Sequence, residues 1–168
     1  MNSCEGRSLE EQIVERMSAL GLTLTTVESC TGGMAASRIV NVSGASEVLM
    51  QGIVTYSNEA KTRLVGVREE TLRAHGAVSP ETAREMAEGG VRFGRTDLAL
   101  ARTGIAGQGG GTPEKPVGLV YIAVSDGTRT EVRKLNLAGD RLAVRTQAAE
   151  AVFGLLWDTF LSEEQTVR

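Results

Sequence analysis

Apolar residues along this chain recur at helical spacing in some stretches and gather into short runs in others. Ile13, Val14, Met17 and Leu20 form one helical stripe behind Ser8 and Glu11, which stand at capping-box spacing, and Gly21 supplies a left-handed stop. Leu22 to Val27 reads as a strand, and the turn Thr31-Gly32-Gly33 leads into a small-residue helix from Met34 to Val40. Val48 to Tyr56 predicts a second strand, followed by a short helix from about Asn58 to Val65 that Gly66 closes. Ser79-Pro80-Glu81 opens a helix reaching roughly Phe93 despite the weakening pair Gly89-Gly90.

Asp97 to Thr103 is a compact apolar strand that runs into the glycine-dense stretch Gly104 to Thr112. Val117 to Ser125 and Thr128 to Leu137 flank Asp126-Gly127, the turn chemistry of an antiparallel hairpin. Asp140 is placed to cap a long helix, Arg141 to Phe160, with Leu142, Ala149, Val152, Phe153, Leu156 and Phe160 available for burial. Leu161 to Arg168 is expected to fray. Strands alternating with helices, plus one hairpin, predict an α/β fold: a three-layer α/β/α sandwich around a mixed, mostly parallel sheet. No repeat or linker divides it, so residues 1–168 are expected to form one domain with a core at about 9–160.

Composition narrows the function more by exclusion than by indication. The 168 residues are 41% hydrophobic and only 4% aromatic, which suits helix-on-sheet layers and disfavours stacked-base recognition of single-stranded nucleic acid. A formal charge of -3 argues against a general nucleic-acid or anionic-membrane surface, while a small anionic substrate remains open through local charge. Cys4 and Cys30 are too few for a disulfide framework and do not form a metal-ligand spacing. No apolar stretch approaches the roughly 20 residues of a membrane span, and the start lacks signal-peptide character, so a reducing, cytoplasmic setting is expected.

Ser29, in Glu28-Ser29-Cys30-Thr31-Gly32-Gly33, stands between an apolar strand and a small-residue helix, where a nucleophile would sit. The helix start offers N–H groups for a phosphate or an oxyanion. The G-x-S-x-G pattern of the hydrolase elbow is absent, and a serine before a helix is also an ordinary N-cap. A serine needs a base. His75 sits at an expected helix C-terminus, where it compensates the dipole, and Lys61 follows a strand end, where α/β sheets build sites. Lys61 acts as a base only if its environment lowers its pKa; otherwise it is a solvated residue near Glu59 and Arg63. Cys30 reads either as a nucleophile or as an inert core thiol, and Tyr56 as a packing residue or a substrate contact. The glycine loop is neither a Walker A motif nor a dinucleotide fingerprint, though such loops can cradle phosphate, with Lys115, Arg141 and Arg145 able to add charge.

Taken together, Glu28-Ser29-Cys30-Thr31-Gly32-Gly33, Thr55-Tyr56-Ser57-Asn58-Glu59-Ala60-Lys61, His75-Gly76-Ala77-Val78-Ser79, Thr103-Gly104-Ile105-Ala106-Gly107 and Lys115-Pro116-Val117-Gly118 resemble the CinA carboxy-terminal domain family, from about Leu9 to Phe160. The resemblance implies an α/β/α fold, no cofactor or metal, and nicotinamide-nucleotide amidase activity, which converts nicotinamide mononucleotide to nicotinate mononucleotide and ammonia. It implies a catalytic Ser29–Lys61 dyad. Tyr56, Asn58, Thr103 and Gly104 would line the substrate pocket, with Thr31, Gly32 and Gly33 at the nucleophile turn. Gly107 and its loop, Lys115, Arg141 and Arg145 would face the nucleotide phosphate. The chain departs from the family pattern at Gln108, where proline commonly follows Ala-Gly, and at Arg102, where a small apolar residue is usual. It resembles a stand-alone amidase, without the additional amino-terminal domain of longer relatives or that domain's activity, and a homodimer is expected. A non-catalytic nucleotide-binding domain linked to competence or DNA damage is the alternative.

Overall fold

Five strands pair into one sheet in the computed structural model, which describes residues 6–162. Cys4 and the end of the expected frayed tail lie outside the described residues. The strands are β1 (Leu24–Glu28), β2 (Leu49–Val54), β3 (Leu98–Gly104), β4 (Leu119–Ser125) and β5 (Thr130–Asn136), in the spatial order β2-β1-β3-β4-β5. β1 pairs in parallel with both β2 and β3, whereas β4 runs antiparallel to both β3 and β5. Only β4 opposes the common direction, so the sheet is mixed and mostly parallel, with the expected hairpin at one end. The carboxyl ends of β1, β2 and β3 therefore open side by side, where ligands of open α/β sheets bind.

Helices α1 (Leu9–Leu20), α2 (Met34–Val40), α3 (Ala45–Val48) and α7 (Arg141–Leu156) cover one face, and α4 (Asn58–Val65), α5 (Glu69–His75) and α6 (Pro80–Gly94) cover the other. Alternate strand positions feed the two cores. Leu24, Leu100 and Ile122 pack with Ile13, Ile39 and Phe153, while Val27, Ala101 and Ala123 pack with Val65 and Met86. The caps read from sequence are present. Ser8 and Glu11 form the reciprocal box on α1, Ser79 and Asp140 cap α6 and α7, and Gly21 and Gly66 close α1 and α4 in the left-handed region; Ser57, not singled out from sequence, caps α4 as well.

Some boundaries differ from expectation for local reasons. Val48 ends the one-turn helix α3 rather than starting a strand, because Gly44 turns the chain at φ +87° just before it. The long last helix stops at Leu156 and continues as a single π-type turn, Trp157–Leu161, whose Leu161 is buried rather than frayed. Leu142, expected to be buried, is 61% exposed on the first turn of α7.

The pair Gly89-Gly90 weakens α6 by propensity but is what lets the helix lie close to its neighbours. A Cβ on Gly89 would sit 1.8 Å from the Val65 carbonyl oxygen, one on Gly90 2.8 Å from Val27 and Ala99, and one on Gly94 2.0 Å from Thr25 Oγ1. A propensity cost of about 1 kcal/mol per glycine is thus outweighed by the packing it permits. Gly89→Ala is expected to lose about 2 to 3 kcal/mol, as an overpacked contact against backbone, despite alanine's better helix propensity. Chemical denaturation reads this directly, and an unchanged or higher midpoint would show that α6 can move away from α4 without loss.

Candidate active site

The site begins with a carboxylate at the end of β1. Glu28 lies on the face that α2 covers and is 1% exposed, and its side chain turns into the start of that helix. Its Oε2 accepts from Thr31 Oγ1 at 2.7 Å, Gly33 N at 3.0 Å and Ala35 N at 3.2 Å, and its Oε1 accepts from Ala36 N at 2.9 Å. The N–H groups expected to greet a phosphate are occupied by Glu28. That expectation is corrected: the helix start is an anion site, but the anion belongs to the protein.

The partner charge comes from β3. Arg102 is in register with Glu28 and is completely buried. Its Nη2 lies 3.0 Å from Glu28 Oε2, near enough for an ion pair although its N–H groups are not aimed along a hydrogen bond. Its Nε donates to Thr31 Oγ1 at 3.1 Å, while Nη1 has no partner. Burial pushes the Glu28 carboxyl upward, but the Arg102 charge, the Ala36 and Ala35 amides and the Thr31 hydroxyl outweigh it and hold the group below its ordinary range. Burial also pulls Arg102 downward against the pull of Glu28, and a guanidinium remains charged under such a load.

This anchored turn presents Ser29. Gly32 and Gly33 have φ of +57° and +99°, so residues 29–33 reverse direction where a side chain would be strained. Ser29 N donates to the Arg102 carbonyl at 3.2 Å, which ties Ser29 to the end of β3. From the other side, Arg145 of α7 donates through Nε to the Cys30 carbonyl at 3.0 Å and through Nη2 to the Thr31 carbonyl at 2.9 Å.

Lys61 reaches the same point from α4. Its Nζ lies 3.1 Å from Ser29 Oγ, donating to it, and 2.8 Å from the Thr55 carbonyl, and the residue is 1% exposed. Both partners are neutral. Burial lowers the Lys61 pKa from its ordinary 10.5, opposed by the thiol of Cys30 in its charged form. The Cys30 thiol is in turn pushed up by burial against the charges of Arg102, Lys61 and Arg145, which keeps it protonated and blunts it as a nucleophile.

Ser29, Cys30, Tyr56, Lys61, Thr103, Gly104, Gly107 and Arg141 line one cleft of about 280 Å³, with Ala77, Val78, Ile105, Ala106 and Gly110 as its remaining walls. Tyr56 is 68% exposed at the rim. Thr103 Oγ1 donates to the Ala77 carbonyl at 2.6 Å, so this hydroxyl shapes the wall. Arg141 lies against the backbone of Gly107 so closely that a Cβ there would come within 2.0 Å of its Nη2. The other predicted residues lie elsewhere. Asn58 borders a separate groove with Glu59, Arg63 and Arg73 on the outside of α4 and α5. Thr31 is buried beneath the turn and Lys115 donates to the His75 carbonyl at 2.5 Å. Glu28 and Arg102 were not anticipated as a pair, although an arginine inside the apolar run Leu98–Gly104 required a buried anion, and Glu28 ends a neighbouring strand.

The family model of the CinA C-terminal domain matches residues 6–160. A CinA-like protein of Kosmotoga olearia is 56% identical over 142 residues, covering 84% of this chain and 34% of that protein, and one of Chloroherpeton thalassium is 49% identical over 152 residues, covering 88% and 36%. The chain thus spans about a third of the length of these curated relatives. Among solved structures, the competence/damage inducible protein CihA of Agrobacterium tumefaciens aligns with a TM-score of 0.87 at 39% identity, covering 89% of this chain and 92% of that one. A competence or damage-inducible protein of Enterobacter asburiae aligns with a TM-score of 0.88 at 35% identity, covering 92% and 96%. With matching fold, near-complete coverage and identities of this size, this chain belongs to the CinA C-terminal domain family.

Proposed function

We propose that the chain is a nicotinamide-nucleotide amidase working through Ser29 and Lys61. The observation that carries this reading is a buried lysine amine 3.1 Å from a serine hydroxyl, with neutral hydrogen-bond partners, at the joined carboxyl ends of three parallel strands. Such an amine sheds its proton more readily than a solvated one and can act as a base near working pH. Ser29 Oγ attacks the carboxamide carbon as its proton passes to Lys61 Nζ. Lys61 returns that proton to the departing nitrogen, which leaves as ammonia, and water then cleaves the acyl-serine as the proton passes through Lys61 back to Ser29. Backbone N–H groups near Thr31 or Gly104 take the oxyanion, since those of Gly33, Ala35 and Ala36 are held by Glu28.

Arg141 faces the cleft and is the substrate phosphate's partner in this reading. Arg145 and Lys115, which sequence grouped with it, are engaged with carbonyls of the turn and of α5. The close fit of Arg141 on Gly107 assigns the glycine loop a purpose: it holds the guanidinium against bare backbone inside the cleft.

Ammonia release from nicotinamide mononucleotide by the purified chain tests the reading. Ser29→Ala should lose about 10³-fold or more in kcat with the fold intact, whereas Cys30→Ala should keep most of the rate. Lys61→Arg should be nearly inactive, because arginine keeps the charge but cannot act as a base. Wild-type turnover in either Ser29→Ala or Lys61→Arg would sink the dyad.

For Arg141→Met and Gly107→Ala the expected change is a raised KM for the phosphorylated substrate and little change for the corresponding nucleoside. Equal losses on both substrates would remove the phosphate role.

Lys61 also links stability to pH. Between its lowered folded pKa and the ordinary 10.5, the unfolded chain holds a proton that the folded chain does not, so its contribution to stability rises with pH across that window. Lys61→Met should therefore gain stability relative to the parent at neutral pH, and that advantage should shrink as pH approaches 10.5. Parallel denaturation midpoints at neutral and alkaline pH would contradict it.

A further inference from the structure

The turn after Ser29 is held from one side by a single side chain. Arg145 of α7 donates through Nε to the Cys30 carbonyl at 3.0 Å and through Nη2 to the Thr31 carbonyl at 2.9 Å. Two N–H groups on one edge of a planar guanidinium match two successive carbonyls, which a point charge does not. The Thr31 carbonyl also accepts from Met34 N at 3.2 Å, so it is satisfied without Arg145. What the fork adds is direction.

No peptide bond among the described residues is cis, so the C=O of one residue and the N–H of the next point in opposite directions. Holding the Cys30 carbonyl toward α7 turns the Thr31 N–H away from it. Holding the Thr31 carbonyl does the same to the Gly32 N–H, which donates to the Ser29 carbonyl at 3.1 Å. That bond in turn sets the unit between Ser29 and Cys30, whose N–H belongs to Cys30. Three successive peptide units after Ser29 thus take their orientation from Arg145. Gly32 and Gly33, at φ +57° and +99°, have no side chain to resist a flip of the unit before them, so the turn needs such a hold.

The N–H groups of the turn are then accounted for. Ser29 N donates to the Arg102 carbonyl, Gly32 N to the Ser29 carbonyl and Gly33 N to Glu28. Thr31 N has no partner among the described residues, but Thr31 is fully buried beneath the turn. Cys30 N meets no acceptor there except its own thiol, which burial keeps protonated, and Cys30 lines the cleft beside Ser29. Cys30 precedes the first residue of α2 by four positions, so its N–H is not among those that Glu28 occupies. We propose that Arg145 is a positioning residue that fixes this turn so that the Cys30 N–H donates to the oxyanion formed at Ser29. The substrate rests on the amidase reading above, but the same N–H serves any group whose carbon or phosphorus Ser29 Oγ attacks.

Two readouts test it, one of them independent of the substrate. In ammonia release from nicotinamide mononucleotide, Arg145→Met should lower kcat about 10²- to 10³-fold with little change in KM, the loss expected for one misplaced oxyanion donor. A phosphate ligand would instead show a raised KM with kcat kept. Arg145→Lys should recover only part of the rate, since it restores the charge but not both bonds. A small fluorophosphonate places its phosphoryl oxygen where the oxyanion forms, as Ser29 Oγ bonds to phosphorus, fluoride leaves and the serine proton passes to Lys61. It should label Ser29 in the parent chain and react with Arg145→Met more slowly by a similar factor, with the circular dichroism spectrum unchanged. If Arg145→Met does not fold, Arg145→Lys carries the same comparison. Labelling of Ser29 without ammonia release would remove nicotinamide mononucleotide as the substrate, and slowed labelling of the variants would still support the role of Arg145. A parent chain that is not labelled at Ser29, an Arg145→Met protein labelled at the parent rate, a loss confined to KM, or full recovery in Arg145→Lys would each overturn the proposal.

Discussion

Everything around the cleft depends on how one buried carboxylate is satisfied. Glu28 is removed from water at the end of a strand, a position that would cost several kcal/mol for an uncompensated charge. Four hydrogen bonds and the Arg102 guanidinium compensate it. Three of those bonds come from the first amides of α2, so the requirement to solvate Glu28 also fixes where the helix starts. Ser29 is the next residue along the chain and has little freedom left. A positioning network of this kind acts before any substrate arrives, which is how preorganised sites keep their geometry.

Lys61 obeys the opposite rule. Glu28 is buried with a counter-charge, while Lys61 is buried against a hydroxyl and a carbonyl. Pairing a charge stabilises it and makes its pKa unremarkable for reaction; leaving it with neutral partners destabilises the charged form and makes it reactive. The two buried groups lie close to the same turn and divide in this way: Glu28 is a paired charge that fixes the turn, and Lys61 is an amine whose charged form burial disfavours.

Much of the fold was legible in the sequence because its signals are local. Ser8 with Glu11, Ser79-Pro80, Asp126-Gly127 and Asp140 all act over three or four residues, and each marks the boundary it was expected to mark. The nearness of Ser29 and Lys61 is different, since 32 residues separate them and only the parallel register of β1 with β2 joins them. The family resemblance suggested that pair; spacing alone left Lys61 readable as a surface residue. The same limit hid Glu28 and Arg102, whose pairing rests on a register across 74 positions, and it hid the packing reason for Gly89-Gly90, which lies in Val65 on another helix. Charge alone also could not separate Arg145 and Lys115 from Arg141, because nothing in their sequence neighbours reveals that carbonyls of residues 30, 31 and 75 are within reach.

Net composition gives a misleading picture of the cleft's electrostatics. The chain is acidic overall, at -3, yet Lys61 from α4 and Arg141 and Arg145 from α7 approach the Ser29 turn. The one carboxylate buried at the turn, Glu28, is neutralised by Arg102 and cannot offset them. Charges beside a low-dielectric wall act more strongly than the same charges spread over solvent-exposed surface. An acidic exterior with a cationic cleft repels large polyanions while still drawing a small anion into the site. That combination arises because, among the described residues, Lys61, Arg141 and Arg145 have no carboxylate partner at the turn.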